Sequence, residues 1–307
     1  VHIVPAPAWG DTLEDRVFRW IEAMTNGLAA LADRFDIVHS QDCISARAAA
    51  RVRDAGAGFQ VVRTVHHVDD FTTQALIDCQ RHAIIEPDVV LVVSEQWRRQ
   101  LAADYGVTAT VVPNGVRSDR FARGITASRR AELRDRLGTG DRFVFLTVGG
   151  IEPRKGSEYL VDALGRCKRA SGIAPMLAVI GGHSFQDYAA YRERVLGSLA
   201  AHGLAMGDDL VMLGTVDDAE LPDWFHAADA FAFPSVTEGW GLVVLEAMAA
   251  GLPVVTSDIA VFHEFLRDCD NAVLRHRLIT AGSATASEYS WSRSADQHLA
   301  VYRSLSD

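Results

Sequence analysis

Apolar runs of strand length recur along the chain, separated by stretches with apolar residues at helical spacing. In the first half His2–Pro5, Asp36–Ser40, Gln60–Val65, Asp88–Ser94 and Thr108–Pro113 read as strands. Leu13–Phe35, Ile44–Asp54, Phe71–Ile85 and Glu95–Tyr105 read as helices. The first helix places Val17, Phe18, Ile21, Met24, Leu28 and Leu31 on one face. Its Trp20 and Phe18 would suit a membrane surface, but its acidic residues favour packing on a sheet. Strands joined through helices imply right-handed crossovers and a parallel sheet. Asp88–Ser94 (DVVLVVS) is apolar on both faces, as a covered central strand requires.

Pro113-Asn114-Gly115-Val116 is turn-rich and interrupts the alternation, which sets a domain boundary near 115. A charged stretch follows over 117–142, with helical potential at Arg129–Leu137. The alternation then restarts. Phe143–Val148, Met176–Gly182, Leu210–Thr215, Ala230–Phe233 and Pro253–Thr256 read as strands. Helices are predicted from Ser157 and over Tyr188–His202, Leu221–Ala228, Leu242–Ala250 and Glu288–Leu305. The expected organisation is therefore a domain over 1–115 and a second over 116–307, closed by a helix at 288–305. No internal repeat or low-complexity segment interrupts either half.

Composition narrows the function classes. A length of 307 residues with 49% hydrophobic content suits two ordinary cores. The formal net charge is −10 and no block of like charge stands out, which argues against nucleic acid as a partner. An anionic small molecule needs only a local pair of cations. Cys43, Cys79, Cys167 and Cys269 are far apart and form no C-x-x-C, so neither a zinc site nor a disulfide framework is indicated. A reduced cytosol is the default for such a chain. No apolar run approaches the roughly 18 residues of a membrane span. The sequence opens at Val1 without methionine, so targeting is not readable from that end.

The chemistry concentrates in residues 230–256, AFAFPSVTEGWGLVVLEAMAAGLPVVT, which read as strand, loop, helix, strand. The loop empties onto a helix N-terminus, where backbone N–H groups lack helical partners and the dipole is positive. Gly239 and Gly241 remove side chains that would keep a ligand from that backbone. Such a site holds a phosphate or an array of hydroxyls. Glu238 and Glu246 repel a phosphate unless cations intervene, but as pure acceptors they suit sugar hydroxyls. The expected ligand has a phosphate part and a hydroxyl-rich part.

A second strand–loop–helix carries the cations. Phe143–Val148 runs into Gly149-Gly150-Ile151-Glu152-Pro153-Arg154-Lys155-Gly156, which matches neither a Walker loop nor G-x-G-x-x-G. Arg154 and Lys155 stand where anionic oxygens would meet charge and backbone N–H groups together. In the first half, Thr64-Val65-His66-His67-Val68-Asp69-Asp70 ends a strand and opens a loop, the position where ligands of open α/β sheets bind. Read from the residues alone, this is a metal site of His and Asp or a lone satisfied histidine.

Glu238-Gly239-Trp240-Gly241, then Glu246 and Ala-Met-Ala-Ala-Gly-Leu-Pro-Val-Val, resembles the E-x7-E signature of retaining nucleotide-sugar glycosyltransferases of family 4, the GT-B architecture. The 149–156 loop resembles the family's V-G-x-x-x-x-x-K-G phosphate segment, with Gly150 where an Arg often stands and Arg154 supplying the guanidinium. Pro113–Val116 resembles the family's inter-domain P-N-G-V, and Thr64–His66 its strand-end T-V-H. The resemblance implies an α/β fold of two Rossmann-like domains facing a cleft. It implies catalytic roles for His66, Arg154, Lys155 and Glu238, and donor contacts from Gly149, Gly150, Val216, Gly239, Trp240, Gly241, Leu242 and Glu246. Val216 would meet the base, Glu238 the sugar hydroxyls and Glu246 the ribose. His67 and Asp70 are acceptor-side candidates by proximity to His66.

The implied reaction moves a sugar from a nucleoside-diphosphate sugar to an acceptor hydroxyl with retention, without cofactor or metal. The acceptor would be a carbohydrate, a lipid or a small molecule, and peripheral membrane contact stays open. Against the family pattern, one βα unit after Asn271-Ala272-Val273 and the first strand with its Gly-rich turn look absent. Alternatives are a nucleotide-sugar epimerase, a phosphorylase of the same architecture, or a non-catalytic nucleotide-sugar-binding remnant.

Overall fold

The computed structural model describes residues 2–7, 12–171, 174–182, 188–266 and 282–305. The chain forms two compact units, Val1–Pro113 with Arg293–Asp307, and Asn114–Ser292.

The first unit is built on a parallel sheet of β1 (Ile37–Ser40), β2 (Gln60–Val65), β3 (Val89–Val92) and β4 (Ala109–Val111), in that spatial order. The connecting helices are α2 (Cys43–Asp54), α3 (Gln74–Ile85) and α4 (Glu95–Tyr105). Successive side chains of β2 point to opposite faces. Val61 packs with Ala49 and Val52 of α2, whereas Val62 joins Leu91 and Val112 on the other face. That face is covered by Val301 and Tyr302 of the terminal helix and by Leu305 just after it. From Arg293 onward the closing helix therefore belongs to the first unit, not to the second as expected. The apolar sheet face left open by α2–α4 is the reason.

The helix predicted over Leu13–Phe35 is shorter. It runs over α1 (Leu13–Ala29), starting from a capping box in which Thr12 and Asp15 satisfy each other's backbone N–H. A tighter turn then brings Ala32 into the cluster of Ala49, Val52 and Phe59. Val17 and Ile21 bury against Leu76 and Cys79, so the apolar face of α1 is core. The strand expected at His2–Pro5 does not form; residues 2–7 adopt no regular element. Val4 instead lies against Gly27, where an added Cβ would come within 2.6 Å of Val4 Cγ2.

The second unit is a five-stranded parallel sheet, ordered β7-β6-β5-β8-β9. The strands are β5 (Val144–Val148), β6 (Met176–Ile180), β7 (Leu210–Gly214), β8 (Ala230–Phe233) and β9 (Val254–Thr256). The helices preceding the sheet are α5 (Ser118–Phe121) and α6 (Ala127–Leu137). Between and after the strands run α7 (Ser157–Ser171), α8 (Ala189–Gly197), α9 (Leu221–Ala227), α10 (Leu242–Ala249) and α11 (Ala260–His263). Helix α12 spans residues 282–288, and α13 is Trp291–Ser304. The chain leaves β5 outward to β6 and β7, then returns to β8 on the opposite side of β5. The β5–β8 junction is the topological switch point of this sheet, the place where ligands of open α/β sheets bind.

Val161, Leu164, Leu177, Val179 and Val195 fill the core between β6, α7 and α8. Gly115 lies directly against the backbone of Ser290 and Trp291, where no side chain fits. Val116 donates its N–H to Tyr289 O at 2.7 Å. These contacts are the structural use of the Pro-Asn-Gly-Val turn. The boundary expected near 115 falls at Pro113. The segment after Asn271, where a βα unit looked absent, lies outside the described residues for the most part.

Candidate active site

The loops after β5 and β8 are joined by their backbones. After β5, Gly149 and Gly150 hold φ of 131° and 75°, a region that favours glycine. A 3-10 turn at Pro153–Lys155 closes on Gly156, also left-handed, before α7 starts. Gly156 packs against the Pro234 carbonyl so closely that a Cβ would collide with it. Val236 donates its N–H to Arg154 O at 2.9 Å. The loops are thus one unit at the switch point.

Their side chains meet on a single oxygen. Glu238 Oε1 accepts from Lys155 Nζ at 2.5 Å, Ser235 Oγ at 2.9 Å and Arg154 Nη1 at 3.3 Å. Both Lys155 and Glu238 are largely buried, with side-chain exposures of 12% and 8%. Lys155 Nζ also stands 4.5 Å from the Phe233 ring centroid, a cation–π contact. Burial lowers the Lys155 pKa, and the Glu238 carboxylate opposes that shift. Arg154 is more exposed, its side chain at 46%, and reaches Glu152 at 3.4 Å. The site therefore gathers two cations around one carboxylate at the switch point.

Helix α10 begins beside them. Its N-cap is Gly241, left-handed at φ 88° and without a side-chain cap. A Cβ there would meet Phe262 Cε1 at 2.7 Å, so the position requires glycine. The Val244 N–H reaches Gly241 O at 2.9 Å, which leaves those of Leu242 and Val243 without an acceptor within the helix. Gly239 and Leu242 are half-buried at this N-terminus. One turn on, Glu246 is pushed up to about 7 by burial, with Arg120 opposing and Asp218 adding to the shift. Arg120 and Asp218 form an ion pair at 2.9 Å.

Trp240 departs from the donor contact expected of it. Its ring is buried against Phe265 and Tyr289, with centroids 5.2 and 5.1 Å away. Its apolar surface is taken up in that aromatic cluster. The indole N–H is buried with no hydrogen-bond partner among the described residues. Val216 lies two residues past β7, at the same carboxyl edge of the sheet.

The candidates of the first unit sit on the loop after β2. His66 is half-buried and its Nε2 lies 2.8 Å from Gln41 Oε1. Burial, then Arg63, His67 and His298, lower its pKa to about 4. His67 is exposed and pairs with Asp69 at 3.5 Å, and Asp70 is exposed. The two histidines therefore turn to different partners. Among the described residues no group of His, Cys, Asp and Glu side chains is arranged to hold a metal ion.

Sequence reasoning missed Ser235 as a partner of Glu238, Arg120 and Asp218 beside Glu246, and Gln41 beside His66. Gln41 had a signal: it directly follows a strand at the sheet's carboxyl edge. Ser235 had one too: it stands three residues before Glu238 in the same loop. Arg120 had none, because its contact joins segments that the sequence does not order in space.

Two family models cover most of the chain. Residues 1–120 match Glycosyltransferase Family 4 and residues 129–281 match Glycosyl transferases group 1. The chain is 30% identical over 311 residues to a D-inositol 3-phosphate glycosyltransferase of Geodermatophilus obscurus, covering 89% of this chain and 67% of that one. It is 32% identical over 242 residues to a phosphatidyl-myo-inositol mannosyltransferase of Mycobacterium tuberculosis, covering 70% of this chain and 59% of that one. The chain thus spans roughly 60–67% of the length of these relatives. Anabaena HepE, solved with UDP and glucose, superposes with a TM-score of 0.77 at 20% identity, covering 91% of this chain and 81% of that one. At that identity the likeness speaks for the fold.

Proposed function

The chain belongs to the GT-B glycosyltransferases of family 4, which use nucleotide sugars, and from that premise we propose that it transfers a hexosyl unit to an acceptor hydroxyl with retention of anomeric configuration. The observation that carries the reading is the convergence of Lys155, Arg154 and Ser235 on Glu238 beside the uncapped start of α10. Breaking the sugar–phosphate bond builds negative charge on the β-phosphate and positive charge on the sugar. Preorganised cations and N–H dipoles aimed at the first charge are usually the largest catalytic contribution. Lys155, Arg154 and the N-terminus of α10 take that role. When a diphosphate draws Lys155, Glu238 turns its acceptor oxygens to the sugar hydroxyls.

Glu246, one turn into α10, accepts from the ribose, and Val216 meets the base through its backbone. Gly149 and Gly150 let the phosphates approach the main chain. By the family resemblance His66 takes a sugar-contacting role, with His67 and Asp70 as acceptor-side groups. The cations in the crevice balance the leaving group, so the reading needs no metal or cofactor. The relatives' names make inositol phosphates and phosphatidylinositol the first acceptors to assay. No helix among the described residues is long and apolar enough to cross a membrane. A cytosolic enzyme meeting a lipid acceptor at the membrane surface agrees with that.

The test is turnover with UDP-, GDP- and ADP-sugars, with product configuration read by NMR. Lys155→Ala and Glu238→Ala should each abolish most of the transfer. Wild-type rates in both variants overturn the mechanism. Product formed without acceptor, or only with inorganic phosphate, would reassign the chain to an epimerase or a phosphorylase.

A further inference from the structure

The carboxyl ends of β1 and β2 carry a file of hydrogen bonds that the reading above leaves unused. The two strands pair in parallel, with Ser40 opposite Arg63, so Gln41 and His66 leave the same edge of the sheet. His66 Nε2 lies 2.8 Å from Gln41 Oε1. Gln41 Nε2 lies 3.0 Å from His39 Nε2, a nitrogen that is also 2.7 Å from Thr64 Oγ1. The other ring nitrogen of His39, Nδ1, is hydrogen-bonded with the Tyr302 hydroxyl on α13. His298, one turn earlier on α13, packs its ring 5.4 Å from that of His39 and donates from Nδ1 to Ser294 O.

With the Gln41 amide oriented Oε1 toward His66 and Nε2 toward His39, one arrangement of protons follows. A carboxamide oxygen only accepts and its nitrogen only donates. His66 must then donate from Nε2–H to Gln41 Oε1. Gln41 and the Thr64 hydroxyl both donate to His39 Nε2, which is then bare. His39 is therefore neutral with its proton on Nδ1, and donates to the Tyr302 oxygen.

We infer that Gln41 is a positioning residue that holds His66 as the neutral Nε2–H tautomer and leaves His66 Nδ1 as a pure hydrogen-bond acceptor. His66 Nδ1 has no partner among the described residues. A nitrogen that only accepts takes a hydroxyl proton and rejects a phosphate oxygen, so the ligand group it selects is an alcohol. Gln41 is itself oriented by His39, and His39 by Tyr302, so the far end of the file rests on the terminal helix. The charges around it agree. Burial, with Arg63, His67 and His298, disfavours imidazolium at His66, and Asp42 opposes them. Burial, with His298, Arg63 and His66, does the same at His39. The functional consequence rests on the proposed sugar-facing role of His66; the tautomer does not.

The test is long-range proton–nitrogen correlation NMR of the intact chain across pH, on wild type, Gln41→Leu, Gln41→Glu and Tyr302→Phe. Wild-type His66 should carry its proton on Nε2 and stay neutral well below the usual histidine range. In Gln41→Leu it should become a tautomer mixture with a higher titration midpoint. In Gln41→Glu, whose carboxylate still accepts but cannot donate, His66 should keep Nε2–H with a raised midpoint while His39 moves its proton to Nε2. Tyr302→Phe should broaden the His39 assignment. In turnover, Gln41→Leu should lower kcat about fivefold to tenfold, the scale of one neutral hydrogen bond, with donor KM changed less than about twofold. A wild-type His66 protonated on Nδ1, or a Gln41→Leu variant with wild-type tautomer and midpoint, overturns the proposal. If Gln41→Leu does not fold, Gln41→Glu decides by the His39 proton. Failure to transfer any sugar would overturn the functional reading and leave the tautomer result standing.

Discussion

Lys155 Nζ and Glu238 Oε1 share a hydrogen bond at 2.5 Å across 83 residues of chain. A buried pair of this kind is strongly destabilised when one partner is removed alone, because the other charge is left in low dielectric. Here Arg154 and Ser235 remain on Glu238, which softens the loss.

We predict that Lys155→Met lowers the local stability of the second unit by about 2–3 kcal/mol. The double variant with Glu238→Gln should recover at least half of that loss. Hydrogen exchange of the β5 and β8 amides measures both. Additive losses in the double variant would show that the pair is not coupled.

The contact of Gly156 with the Pro234 carbonyl predicts a contrast between glycines. Gly138 has φ 66°, close to the 64° of Gly156, but open space where a Cβ would stand. Gly138→Ala should cost about 1–2 kcal/mol, the left-handed penalty alone. Gly156→Ala adds a collision with backbone, and should cost about twice that or more and abolish transfer. Equal losses, read by urea unfolding of both variants, would mean that the two loops are not locked together.

Glu246 gives a pH prediction of definite sign. Its folded pKa of about 7 lies above the ordinary 4.5. The folded state holds the proton more tightly, so this contribution is complete below pH 4.5 and is lost as pH rises through 7. Glu246→Gln should therefore match wild type near pH 4 and be more stable by about 2–3 kcal/mol at pH 8. Stability measured at the two pH values checks it; a gap that closes with rising pH contradicts it. The same variant should bind donor more weakly.

The histidines of the first unit run the other way. His39 and His66 both have folded pKa values near 4, below the ordinary 6.5. Their contribution is complete above pH 6.5 and is lost as pH falls through 4. The first unit should lose a few kcal/mol over that window. His39→Asn should flatten the decline even if it lowers stability at neutral pH. The slope of stability against pH is the readout.

The sequence alone determined the alternation of strands and helices, the parallel sheets and the spacing that puts Glu238 in a loop and Glu246 on the following helix. These depend on local period, turn chemistry and glycines, all of which act within a few residues. It also put Arg154 and Lys155 in a Gly-rich loop between a strand and a helix, which is where β5 and α7 leave them. Only the tertiary structure decided that residues 2–7 form no strand and that the terminal helix covers the first sheet. Both depend on which apolar face is left uncovered, and no local pattern records that. Tertiary packing likewise turned Trp240 into an aromatic cluster and raised the pKa of Glu246 by burial. It also brought Gln41 to His66 across 25 residues. Periodicity tells which side of an element is apolar; only the assembled sheet tells what stands opposite.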